Sequence, residues 1–195
     1  MTKVRLDSNQ LPPMPVALVG TVAHGRVNFM AAAWITRVTI KPPRIGVGIN
    51  HRQWTHGRIQ ETGAFSLCFP GPELVEKTDY CGLASGRNAD KSAVFDVFYG
   101  DTPGAPLIRE CPLCFEVVLD QAVDLATHTF FIGEIKTVWA DDAIVADGRI
   151  AVEKWNPLLL TMPDNRYWTL GAPAADAWSV GKPLKKEMHN ESSGH

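Results

Sequence analysis

Residues Leu113 to Asp120 read LCFEVVLD, and this stretch decides the fold class. Leu113, Phe115, Val117 and Leu119 alternate with Cys114, Glu116, Val118 and Asp120, the two-residue period of a β-strand. After Thr127, Phe131 to Trp139 reads as a second long strand of the same kind. Upstream, Pro12, Pro13 and Pro15 break any helix, and Val16 to Ala23 is an apolar strand closed by a His24-Gly25 turn. Val27 to Ile40 continues as strand-rich sequence, broken by Trp34 and Thr36, up to Pro42-Pro43. Arg44 to Asn50 (RIGVGIN) then alternates Ile45, Val47 and Ile49 with small partners. Its glycines allow close approach of another backbone or of a ligand.

Helical pattern is confined to short pieces between these strands. Gln53 to Thr62 is one, stopped by Gly63, and Ala64 to Phe69 returns to strand. Pro72 and Glu73 open a second helix through about Leu83. Ser85 to Gly104 is a long excursion, and Asp141-Asp142 and Asp147-Gly148 mark further turns. The strand–helix–strand rhythm of a parallel sheet is missing. The expected fold is mainly β, an antiparallel barrel with short helices covering its ends.

The 195 residues suit one domain, and 45% hydrophobic with 21% charged residues is ordinary globular composition. A net charge of −2 offers no basic surface for nucleic acid or an anionic membrane, so neither is an expected partner. No signal-peptide pattern and no apolar run of ~20 residues is present, and with four cysteines the expectation is a reduced, cytoplasmic protein. The expected division is an N-terminal extension over 1–14, one domain over 15–182 and a polar tail over 183–195, frayed from Glu187.

Motifs for several chemistries are missing. Cys111-Pro-Leu-Cys114 has redox or metal spacing, but no second ligand pair accompanies it and it leads straight into the LCFEVVLD strand, so a buried structural role is expected. His51 and His56 are five apart, which does not put two ligands on one helical face, and no metal is expected. There is no G-x-S-x-G, no phosphate-loop signature and no G-x-G-x-x-G; Gly82 to Gly86 is glycine-rich but is followed by Arg87-Asn88. What remains is a set of polar and aromatic residues in apolar surroundings: Asn28, Trp34, Asn50, Thr55, Arg87, Asp90-Lys91, His128 and Tyr167-Trp168.

In order along the chain, these segments resemble the flavin reductase-like family, especially its flavoredoxin branch. The resemblance is carried by Asn28-Phe-Met-Ala-Ala-Ala-Trp34 with Thr36 and Pro42-Pro43, by RIGVGIN with Thr55, and by Glu61 to Ser66. It continues through Asp79-Tyr-Cys-Gly82, Ser85-Gly86, Asp90-Lys91, Ala105 to Ile108, Glu110-Cys111, Thr127 to Glu134, Arg166 to Gly171 and Gly181-Lys182. One departure is Ser92, where the family often has Phe.

The resemblance implies an FMN-binding split β-barrel of Greek-key kind, usually a homodimer. It implies FMN contacts from Asn28, Met30, Ala32, Trp34 and Thr36, from Asn50 and Thr55, and from Lys91. His128 and Tyr167 are implied to lie toward the ring system, with His128 the candidate catalytic residue. The residue types suit that cofactor. A phosphate dianion wants a point cation, for which Lys91 is the first candidate and Arg87 a weaker one, and neutral donors such as Asn28 and Thr55. An isoalloxazine wants an apolar slot, for which Trp34 and Tyr167 are natural walls, and a hydrogen-bonding group such as His128. The implied activity is that of a flavoprotein oxidoreductase, taking electrons from NAD(P)H or a protein donor and giving them to flavin or a redox partner. The alternative is a non-catalytic FMN-binding or partner-binding barrel.

Overall fold

The computed structural model describes residues 1–162 and 164–185. Seven strands form one antiparallel sheet: β1 (Ala17–Ala23), β2 (Arg26–Ala32), β3 (Ile35–Thr39), β4 (Arg44–Asn50), β5 (Ala64–Phe69), β6 (Leu113–Asp124) and β7 (His128–Ala140). Their spatial order is β2-β1-β5-β6-β7-β4-β3. The strand-rich stretch from Val27 to Ile40 is interrupted at Ala33-Trp34, in line with the break expected at Trp34, and this break shapes the molecule. It makes β2 and β3 the two ends of the sheet although they are neighbours in sequence. The sheet therefore curls until its ends meet, and no ladder among the described residues joins β2 to β3. The result is the expected barrel, split at one seam.

The register fixes what faces the seam. In β4 and β7, His128 lies opposite Asn50 and Phe131 opposite Val47. The β6–β7 hairpin is closed by Leu125 N–H donating to the His128 carbonyl at 2.8 Å. The RIGVGIN glycines admit side chains: a Cβ on Gly46 would overlap the Phe130 ring, and one on Gly48 would stand 3.3 Å from the Trp34 indole. Gly48 N–H also donates to the Trp34 carbonyl at 2.9 Å, docking the β2–β3 link onto β4.

Two helices cover the barrel. α1 (Trp54–Thr62) packs on β1 through the buried Ile59, and it ends at Gly63, whose φ of 67° lets its N–H return to the Ile59 carbonyl. A 3₁₀ turn over Pro72–Leu74 leads into α2 (Val75–Leu83), which packs on β2. Inside the barrel Val19, Val47, Ile49, Ile59, Phe65, Leu67, Val117 and Phe131 form the main core. A second cluster on the other side of the sheet joins Leu18, Phe29, Cys68, Cys81, Leu107, Cys111 and Cys114. Each fully buried aliphatic or aromatic side chain in these clusters contributes about 1.5–3 kcal/mol.

The second cluster gives LCFEVVLD two covered faces. Leu113 and Val117 are buried on one, and on the other so are Cys114, as expected for the pair with Cys111, and Glu116. The covering layer comes from the long excursion, where Val97–Tyr99 pairs with Pro106–Ile108. Glu116 is satisfied there, accepting from Thr102 N–H at 2.8 Å and from the Trp139 indole N–H at 3.3 Å. The four cysteines are buried free thiols. Cys114 lies opposite Cys68 in the β5–β6 ladder, and its Sγ lies 3.7 Å from the Cys111 carbonyl. Burial pushes the Cys68 and Cys111 thiols up and Cys81 up to about 11, while Cys114 is raised first by its bond to Cys111. A raised thiol is a poor nucleophile, in keeping with structural roles.

The sheet does not take in the chain's ends. Met14–Pro15 pairs with Leu159–Leu160, which in turn pairs with Tyr167–Trp168 in a small separate sheet. The expected frayed tail from Glu187 lies outside the described residues. Among the described residues, no helix is long and apolar enough to cross a membrane.

Candidate functional site

The seam of the barrel opens into a cleft of about 330 Å³. One wall is the end of β2 and its link, Met30 to Trp34; the other is Gly48 to Asn50 of β4 with His128 of β7. Gln53, Leu160 and Met162 complete the lining. Five residues picked out by the sequence, Met30, Ala32, Trp34, Asn50 and His128, therefore meet in one place. The Trp34 and His128 rings lie 4.5 Å apart, tilted by 35°. The Trp34 side chain is open to solvent, with the residue 42% exposed. His128 Nδ1 is engaged with the Thr127 hydroxyl at 2.8 Å. That leaves Nε2 as its free polar atom in the cleft.

Next to the cleft is a polar niche. Asn28 is 1% exposed, and its side-chain nitrogen donates to the Thr55 hydroxyl at 2.9 Å. The Asn28 Oδ1 is buried with no partner. Turning the amide over would let Thr55 donate and would leave the NH₂ group as the orphan, so either way one polar atom of Asn28 awaits a ligand. Gly86 sits against it: a Cβ there would stand 2.4 Å from Asn28 Oδ1 and 3.2 Å from Trp54. Only glycine keeps this niche open.

Thr55 is also in the first turn of α1. Its N–H and that of Trp54 have no acceptor among the described residues, while Gln53 N–H bonds the Asn50 carbonyl at 3.0 Å. A helix N-terminus with free N–H groups is a ready anion site. Two arginines flank it: the Arg26 and Arg58 guanidinium carbons stand 5.7 and 5.2 Å from the centre of the Trp54 ring.

Three further selected residues, Lys91, Thr36 and Tyr167, lie outside both the cleft lining and the niche. Lys91 is 2% exposed, and its ammonium donates to the carbonyls of Cys81 at 3.1 Å and Ala84 at 3.0 Å, closing the C-terminal end of α2. Burial holds its amine below the ordinary lysine value. Thr36 lines a neighbouring, almost wholly apolar cavity of about 440 Å³ with Leu11, Met14, Ile35 and Phe130, which shares Ala33 and Trp34 with the cleft. That cavity is the larger of the two, but the polar groups converge on the smaller one. Tyr167, opposite Leu160 in its ladder, packs on the cluster of Val16, Ala33 and Leu158 and donates to Asp79 Oδ1 at 3.1 Å; burial, then Asp79, pushes its hydroxyl up to about 12. Arg87, the weaker cation candidate, is exposed in the turn that carries Gly86.

Gln53, Gly86, Leu160 and Met162 were not picked out as site residues from the sequence. Gly86 was visible as part of a glycine-rich stretch, although its partner Asn28 is remote in sequence. Leu160 and Met162 reach the cleft from the small separate sheet, which no local pattern announces. His51 and His56 meet despite their five-residue spacing: His51 precedes α1, and the two rings lie 5.2 Å apart with Asp124 beside them. Burial and the neighbouring His51 hold His56 below the ordinary histidine value, against the pull of Asp124.

A split antiparallel barrel with an aromatic-walled slot at its seam and a polar niche beside the slot is the architecture of a flavin-binding class of protein. The chain belongs to the flavin reductase-like family: residues 10–164 match its domain description, "Flavin reductase like domain". Its fold is that of flavoredoxin from Methanosarcina acetivorans, with a TM-score of 0.91 and 43% identity over 94% of this chain and 100% of that one. The FMN-binding protein from Thermus thermophilus, solved with bound p-hydroxybenzaldehyde, has a TM-score of 0.74 and 26% identity over 88% of this chain and 100% of that one. A protein of Aeropyrum pernix is 32% identical over 82% of this chain; the match spans 62% of that protein's length.

Proposed function

We propose that this chain holds FMN across the barrel seam and works as a flavoprotein oxidoreductase. The observation that carries the reading is the orphaned Asn28 amide beside the free N–H groups of α1, directly adjoining the slot walled by Trp34 and His128. A flavin mononucleotide presents the matching groups, a planar apolar ring and one phosphate. When bound, it supplies hydride and electron transfer, so no side-chain nucleophile is needed.

The chain's own residues divide the work. Asn28, Thr55 and the first turn of α1 hold the phosphate through donors. Lys91 contributes its charge from behind the niche, through the Ala84 carbonyl one residue before Ser85-Gly86. Met30, Ala32, Trp34 and Asn50 hold and align the ring, while Thr36 and Tyr167 support Trp34 and Ala33 from outside the cleft. His128, held by Thr127, keeps Nε2 available to the reacting face and governs how a hydride donor approaches.

The donor is NAD(P)H or a reduced protein, and the acceptor is free flavin or a redox partner. The reading of this chain as an electron carrier is favoured by its likeness to a flavoredoxin across nearly its whole length. The working unit is a homodimer. Supporting this, β3 is an end strand that carries the exposed Val38, with the exposed Ile40 just after it, and its Ile35 and Thr36 line the apolar cavity beside the exposed Trp34. The domain is taken to run over 15–182 between an extension and a tail, in a reducing compartment.

Anaerobic mixing of the FMN-loaded protein with NADH or NADPH tests the activity. Rapid bleaching of the flavin band by a nicotinamide identifies a reductase, and bleaching only by a protein donor identifies a carrier. A loaded protein that no donor reduces refutes redox work and leaves the non-catalytic barrel.

A further inference from the structure

Outside the cleft, the chain brings together one imidazole nitrogen from each of His51 and His56 and a carboxylate oxygen of Asp124, all within 4.8 Å of one another. The three come from separate elements: the turn after β4, the first turn of α1 and the end of β6. We propose that they form a binding site for a divalent transition-metal ion of the zinc class, with water completing its coordination.

Chemistry and geometry both favour such an ion. Two imidazoles and one carboxylate are the donors that borderline cations prefer, whereas calcium and magnesium demand mostly oxygen. Around a tetrahedral zinc at about 2.0–2.1 Å, ligand atoms stand about 3.4 Å apart, so closing on the metal needs a shift of the order of 1 Å. His51 is exposed, and its side chain, with no hydrogen bond among the described residues, is free to make it.

A built support stands behind the ligands. The buried Thr129 hydroxyl donates to Asp124 Oδ1 at 2.6 Å and lies 2.7 Å from His56 Nε2. Because its one proton goes to Asp124, the His56 bond requires Nε2 to be the N–H, which leaves Nδ1 with a bare lone pair. One hydroxyl thus orients two ligands, the usual task of a group behind a metal site. His51 is anchored by its backbone N–H to the Thr127 carbonyl at 3.1 Å and also lines an open polar cavity with Asn50, Arg52, Ala126 and Thr127. That cavity gives a hydrated ion its path, and Arg52 within it tempers the affinity.

The inference does not rest on the flavin reading, since the triad lies outside the cleft. Titrating ZnCl₂ into the chain by calorimetry tests it, without flavin and in a chelator-free buffer, with Co²⁺ absorption as a second probe. One zinc per chain is expected, with micromolar affinity and a zinc-dependent rise in Tm. His51→Ala, an exposed change that leaves the fold intact, is expected to abolish stoichiometric binding. Thr129→Val keeps the buried shape and is expected to weaken it about tenfold or more. His24→Ala, at a histidine paired with Glu61 away from the triad, is expected to change nothing. No zinc uptake by the parent protein, or uptake that His51→Ala leaves unchanged, would overturn the proposal.

Discussion

The Trp34 indole stacks against the His128 imidazole with ring centres 4.5 Å apart, bringing together the two sides of the barrel seam. Trp34 belongs to the link between the end strands β2 and β3, and His128 opens β7 opposite Asn50 of β4. A single pair therefore reports on both walls of the cleft. Trp34→Ala is expected to lower FMN affinity by about tenfold or more, the loss of one aromatic wall. His128→Ala is expected to change the rate of flavin reduction more than FMN affinity. Stopped-flow reduction beside equilibrium titration separates the two, and the reverse pattern would assign His128 to holding the cofactor.

Asn28 carries the phosphate assignment. Asn28→Ala removes the Thr55 partner and the orphaned amide together, and is expected to cost about 1–3 kcal/mol of FMN binding. Binding of riboflavin, which lacks the phosphate, is expected to change far less. Equal losses for both ligands would remove Asn28 from the phosphate niche.

Gly86→Ala is a sharper probe of the same niche. The added methyl would press on Asn28 Oδ1 at 2.4 Å and on Trp54 at 3.2 Å. Gly86 is not among the positive-φ residues, so the backbone itself tolerates alanine. The expected outcome is weakened FMN binding in a chain that still folds, read by titration beside a thermal melt. Undiminished affinity would show that the niche is not used.

The barrel's outer layer is tested through Glu116 and the thiols. Glu116→Ala strands the Thr102 N–H and the Trp139 indole N–H, and is expected to cost about 1–3 kcal/mol of stability by denaturant unfolding. Glu116→Gln keeps an acceptor and is expected to cost less.

The buried thiols are expected to resist a thiol reagent until the chain unfolds, all four then reacting together. Their raised native values also set a pH dependence. Above the ordinary thiol value of 9.0 the unfolded chain releases protons that the native chain keeps, so stability falls as pH rises. For Cys81 the loss runs at up to about 1.4 kcal/mol per pH unit until its native thiol titrates near 11. Urea midpoints at pH 8 and pH 10 read the difference.

Much of the fold could be read locally because local chemistry decided it. RIGVGIN and Ala64–Phe69 are strands over the stretches that their alternation and flanking turns mark out, and Gly63 ends α1 because only a left-handed residue returns its N–H to Ile59. What could not be read depended on what covers each surface. LCFEVVLD alternates with polar residues, yet its Glu116 is buried and held by Thr102, in the loop between Val97–Tyr99 and Pro106–Ile108. Lys91 reads as a free cation, but its ammonium is held on two carbonyls at the end of α2. Five site residues converged because the seam collects β2, β4 and β7; the niche residue Gly86 and the Asp124 triad needed pairings distant in sequence.

Titrating the flavin-free protein with FMN shows most directly whether the seam holds it. One FMN per chain is expected, with quenched flavin fluorescence and a shifted absorption band, both weakened in Trp34→Ala and Asn28→Ala. A folded protein that leaves FMN fluorescence and absorption unchanged would contradict FMN binding at the seam.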